Sequence, residues 1–142
     1  MEKQCRRICP AEIRDYGGAP LVVNIDEVSN ANQNFRTALW TGMHLQVTLM
    51  SIPAGGDIGA EIHPDVDQFL RIESGCGLAL TGCSSSNLNQ RRNIDCHSAV
   101  IIPAGTWPNI VNTGNRPLKL YSVYAPPQHP FGTVHRTKTD AV

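Results

Sequence analysis

Short apolar stretches recur about every ten residues in this chain, and glycine or proline stands between most of them. Almost no helical period is visible. Met43 to Ile52 is the clearest stretch: Leu45, Val47 and Leu49 alternate with Gln46 and Thr48, as in a strand with one buried face. Pro53 and the pair Gly55-Gly56 end it. Leu21 to Ile25, Leu78 to Thr81, Ala99 to Ile102, Trp107 to Asn112 and Leu118 to Tyr124 read as further strands, and Phe35 to Trp40 as strand or turn. Asp26 to Asn34 reads as loop with room for one helical turn, and Gly82 to Asn93 as a polar loop holding Arg91 and Arg92. Short strands at this spacing predict an all-β sandwich or barrel.

The 142 residues suit one domain spanning 1–142, with no internal repeat. Residues 1–20, punctuated by Pro10, Gly17, Gly18 and Pro20, read as an irregular lead-in. The barrel core is expected over residues 40–125, and 126–142 as a polar tail without an apolar period. Twelve basic residues balance twelve acidic ones with no long run of either sign, so no nucleic-acid or membrane partner is expected. The N-terminus lacks an apolar core of signal-peptide length, which predicts a cytoplasmic location. Cys5, Cys9, Cys76, Cys83 and Cys96 show no paired CxxC spacing and read as reduced thiols.

Chemistry concentrates between Gly55 and Gly75. Glu61 and His63 are two apart, which on a strand would place them on one face. Gln68 opens the next run, with Leu70 and Ile72 on its side and Phe69, Arg71 and Glu73 on the other. A carboxylate, an imidazole and a carboxamide can thus converge. Asp65 and Asp67 read as a polar turn, the sharper alternative being Asp67 or Glu61 as a general base. Arg71 either holds a substrate anion or pairs with Glu73 on the surface. His129 and His135 flank Gly132 in the tail, where one imidazole could close over the site.

The spacing resembles the cupin superfamily. Its first motif is G-x5-H-x-H-x(3,4)-E-x6-G, and Gly55, Glu61, His63, Gln68 and Gly75 occupy those five positions. Its second is G-x5-P-x-G-x2-H-x3-N. Pro103, Gly105 and Asn112 match it, His97 replaces the first glycine, and Pro108 stands at the histidine.

The resemblance implies an antiparallel jelly-roll barrel with the ligand positions facing inward, and commonly a homodimer. Glu61, His63 and Gln68 are then the metal candidates, and Arg71, Trp107 and Asn112 the candidate substrate contacts. Proline offers no lone pair on its side chain and no backbone donor. A divalent metal, Zn, Mn, Fe or Ni, is accordingly expected to be weakly held or absent. Two functions follow. One is a small-molecule-binding cupin with a barrel-interior pocket and an eroded metal site. The other is a divalent-metal enzyme, isomerase-like or dioxygenase-like, working through Glu61, His63 and Gln68.

Overall fold

The computed structural model describes residues 12–141. The first part of the expected lead-in, with Cys5 and Cys9, lies outside the described residues. After one short helix, α1 (Ile25–Ala31), come β1 (Arg36–Thr41), β2 (Gln46–Ile52), β3 (Asp67–Ser74), β4 (Cys76–Gly82) and β5 (Gln90–Asp95). There follow β6 (Ala99–Ile102), β7 (Trp107–Asn112), β8 (Leu118–Ala125), β9 (Val134–His135) and a 3₁₀ turn, Lys138–Ala141. The strands form a six-stranded sheet in the order β6-β3-β8-β2-β1-β9 and a three-stranded sheet in the order β5-β4-β7. Every strand pairing is antiparallel. This is an all-β jelly roll. Among the described residues no helix is long and apolar enough to cross a membrane.

The core follows from the alternation. In β3, Gln68, Leu70 and Ile72 turn inward, and in β8 Leu118 and Leu120 do the same. They meet Ala79 of β4, Ile94 of β5 and Ile110 of β7 across the barrel. The chain passes from the large sheet to the small one at Gly75, whose φ of 94° is open to glycine and strained for other residues. A Cβ there would lie 3.1 Å from the Pro117 carbonyl oxygen, so the corner is also crowded.

Three segments differ from the sequence expectation. Leu21 to Ile25 is not a strand: Leu21 and Val23 approach as irregular chain and pack, with Val28 of α1, on Leu39 and Leu49. They cover the outer face of the large sheet, so β2 is buried on both sides. Asn24 caps α1 by accepting from the Glu27 amide, and Asp26 and Glu27 lie at its positive end. Part of the expected polar loop is β5, a strand whose residues are exposed except Ile94. Arg91 and Arg92 sit on that edge strand, where charge discourages pairing with another chain.

The tail is the third difference. It returns across the barrel, and β9 pairs with Arg36 and Thr37 of β1. Gln46, fully buried, holds it down with every atom of its amide group. Its Oε1 accepts from the amides of Gln128 (3.3 Å) and His129 (2.9 Å), and its Nε2 donates to the His129 carbonyl and to Thr41 Oγ1. Asp15 adds a second tie, accepting from Gly132 N at 2.9 Å and Thr41 Oγ1 at 2.5 Å.

Candidate functional site

Glu61, His63 and Gln68 line one cavity inside the jelly roll, together with Arg36, Pro108 and Tyr124. Strand β3 supplies Gln68, β1 Arg36, β7 Pro108 and β8 Tyr124. Glu61 and His63 do not lie on a strand, contrary to expectation. They belong to an irregular segment pinned at several points. Ile58 N donates to the Ile110 carbonyl, Gly59 N to Asn109 Oδ1, and Gly105 N to the His63 carbonyl. These three bonds hold the segment against β7 and the β6–β7 turn. Asp67 accepts from Ala104 N at 2.8 Å, closing that same turn, and is not among the residues lining the cavity.

The cavity holds about 20 Å³, room for one water-sized group. Gln68 Nε2 donates to Ser122 Oγ at 2.9 Å, which leaves its carbonyl oxygen for the cavity. His63 Nδ1 is buried without a hydrogen-bond partner. The imidazole stands edge-on to Tyr124, with ring centroids 5.8 Å apart. Tyr124 meets His129 in the same way at 5.2 Å, and His129 meets His135 at 6.2 Å. Neither tail histidine lines the cavity; His129 packs behind Tyr124, and His135 behind His129.

Arg36 is the residue that sequence reasoning missed. It is only 5% exposed, its Nε has no partner, and no carboxylate of a described residue lies within 4.0 Å of it. Its Nη1 lies 3.1 Å from His135 Nδ1. Guanidinium can only donate, so Nδ1 accepts and that imidazole carries its proton on Nε2. Burial and the Arg36 charge together keep the ring cluster neutral. Burial lowers His63, Glu61 partly opposes this, and Arg36 lowers it further. Burial and then Arg36 lower His135, against Asp140. His129 is pushed down to about 3 by burial, then by Arg36 and its two histidine neighbours.

The three candidate substrate contacts are not brought here. Arg71 is on the opposite face of β3 from Gln68, where its Nη1 donates to Glu73 and its Nη2 lies 3.1 Å from His97 Nδ1. Asn112 is buried and structural: it donates to the carbonyls of Ile52 and Arg116 and accepts from Gly114 N, each at 2.9 Å. Trp107 is not among the residues lining the cavity. His97, at the motif's glycine position, adopts φ 78°, so the backbone keeps the shape that glycine serves.

Two antiparallel sheets with the motif residues on the wall of an interior cavity make the cupin fold, and solved structures agree in fold. An RmlC-like cupin family protein with a double-stranded β-helix fold from Methanocaldococcus jannaschii matches 64% of this chain and 78% of its own. It has a TM-score of 0.54 and 19% identity, a likeness of fold alone. The crystal structure of BH2720 from Bacillus halodurans matches at TM-score 0.89 and 60% identity, over 91% of this chain and 98% of that one. YrkC of Bacillus subtilis (strain 168) is 63% identical over 130 residues, 92% of this chain and 70% of YrkC. The chain belongs to the same family as YrkC, and its fold is that of the cupins. No family model matches this chain.

The metal that this fold commonly carries fits these residues poorly. Among the described residues no group of three or more His, Cys, Asp or Glu could hold an ion. Glu61 and His63 are the ionisable donors on the cavity wall, Gln68 adds a neutral oxygen and Pro108 adds nothing. A structural site takes four protein ligands and a catalytic zinc three plus water. The buried guanidinium of Arg36 on the same wall further opposes a second positive charge.

Proposed function

We propose that this protein is a small-molecule-binding cupin whose interior site works without a resident divalent metal. The observation that carries the reading is Arg36, a buried cation on the cavity wall with no carboxylate partner among the described residues. A buried unpaired charge is costly, and a ligand anion would offset it. With room for one water-sized group, the cavity takes the head of a ligand and not a whole sugar. A carboxylate fits: Arg36 offers an unpartnered Nε, His63 an unpartnered Nδ1 and Tyr124 a flanking ring.

Two measurements test this. Elemental analysis of protein purified without chelator is expected to give far less than one Zn, Mn, Fe or Ni per chain. Titration calorimetry with formate, acetate and oxalate is expected to give binding that is lost in Arg36→Gln. About one metal ion per chain, removed by His63→Ala, would replace this reading with the metal enzyme. Carboxylate affinity that survives Arg36→Gln would remove the proposed anion site.

We further propose a cytoplasmic homodimer. The support is that Cys76, Cys83 and Cys96 are free and exposed, and that Ile101 on edge strand β6 is 71% exposed. Sedimentation at equilibrium tests the dimer, and a monomer at tens of micromolar would count against it.

A further inference from the structure

A second pocket, sharing no lining residue with the first, opens on the outside of the jelly roll. Its volume is about 520 Å³, within the range that holds a small organic molecule. Its floor is Phe35, the residue before β1, and Pro53 and Pro117 form apolar walls. Lys119, Arg136 and Lys138 bring three positive charges to it, against the single carboxylate of Asp57.

That carboxylate is already engaged. Asp57 accepts from Lys138 on one oxygen and from Asn109 Nδ2 on the other. Lys119 Nζ donates to the neutral carbonyl of Asn32 at 2.5 Å, and no carboxylate of a described residue lies within 4.0 Å of it or of the Arg136 side chain. Asp140, the other nearby acid, is turned to the backbone amides of Arg136 and Thr137. Lys119 is half-buried, and burial lowers its pKa, so its ammonium gains from any anion that enters. Ser51 and Gln33 supply neutral hydrogen-bonding groups on the remaining wall.

We infer that this pocket binds a small amphipathic anion, an aromatic or aliphatic body carrying one carboxylate, sulfonate or phosphate. The body lies on Phe35 between the two prolines, and the head meets Lys119 and Arg136. Neither cation belongs to the barrel cavity, so this site is independent of the one built around Arg36. The tail supplies Arg136 and Lys138, so the pocket exists only with the tail docked.

The test is fluorescence titration of the full chain with 1-anilinonaphthalene-8-sulfonate, beside its uncharged analogue N-phenyl-1-naphthylamine. One sulfonate per chain is expected, displaced by decanoate and not by decanol. Arg136→Gln, on an exposed side chain, is expected to weaken the sulfonate about tenfold. Lys119→Met keeps the stem, and is expected to weaken it similarly in protein whose circular dichroism is unchanged. Arg36→Gln is expected to leave this affinity as it was. Equal binding of the uncharged probe, or affinity unmoved in the Arg136→Gln, Lys119→Met double variant, would overturn the inference. Loss of sulfonate binding in Arg36→Gln protein whose tail amides keep their hydrogen-exchange protection would also overturn it, by placing the ligand in the barrel.

Discussion

The two pockets are separated by single steps along the chain, yet they differ in size and in the number of cations they hold. Phe35 lines the outer pocket and Arg36 the inner; on the returning tail His135 contacts Arg36 and Arg136 lines the outer pocket. Phe35 and Arg136 lie just beyond the ends of the paired strands β1 and β9 and are joined by a bond from Phe35 N to the Arg136 carbonyl. Inside, there is room for one water-sized group, and imidazoles stay neutral around one buried cation. Outside, the space is some five hundred cubic ångströms and the cations keep partial access to solvent. A small site among buried groups tolerates little uncompensated charge because desolvation is severe, whereas a larger one lined by solvent-exposed cations can hold several. Ligand size and charge number therefore divide between the two.

The largest effect is expected from cutting the wall of the inner site. Tyr124 is 1% exposed and stands between His63 and His129, so Tyr124→Ala should cost about 3–5 kcal/mol in denaturant unfolding. A loss under about 1 kcal/mol would show that the ring stack is not part of the packed core.

Gln46→Leu should cost about 2–3 kcal/mol, since it leaves the amides at 128–129 without their acceptor. Hydrogen exchange should quicken across residues 128–135 while β3 and β8 stay protected. Equal quickening in all of these would mean that the amide supports the barrel and not the tail.

Acid should then separate the two regions. His129 and His63 have lowered folded pKa values, so the unfolded chain binds their protons first. Stability should therefore fall as pH drops below about 6.5 toward 3, by at most about 1.4 kcal/mol per pH unit for each proton, less where solvent screens it. Asp57 titrates lower. Burial raises it, but the hydrogen bonds and charge of Lys138, with Asn109, outweigh that and hold it below the ordinary carboxylate value. Its contribution is complete above the unfolded value and is lost only as pH falls through the lower folded one. His129→Asn should flatten the upper limb of the stability-against-pH curve and leave the lower limb in place. The smallest effect belongs to Lys138→Ala, which opens an exposed ion pair and should cost under about 1 kcal/mol in the same unfolding assay.

The barrel was most legible where a strand buries one face. Gln68 to Glu73, Trp107 to Asn112 and Leu118 to Tyr124 alternate in the sequence and alternate in burial. β5 was not, because Gln-Arg-Arg-Asn-Ile-Asp buries only Ile94 and looks like a polar loop. Leu21 to Ile25 misled for the opposite reason: apolar residues were needed to cover the outside of a sheet, and irregular chain can do that. In the site, Glu61, His63, Gln68 and Pro108, which the motif spacing singles out, line one cavity. Arg36 and Tyr124 could not be read, since each reaches the cavity through pairings between distant strands. Tyr124 sits opposite Gln68, and Arg36 reaches the large sheet through β2.

The docked tail has one more consequence, and it concerns growth. β9 is only two residues long, but it lies along β1 and so finishes one side of the six-stranded sheet with a short strand. Short edge strands are poor templates for a neighbouring chain. The other side ends in β6, with Ile101 pointing outward. If two copies met β6 to β6, that pairing would consume the receptive side of each sheet and leave the finished sides outermost. Such an arrangement terminates at two, where a sheet receptive on both sides would polymerise.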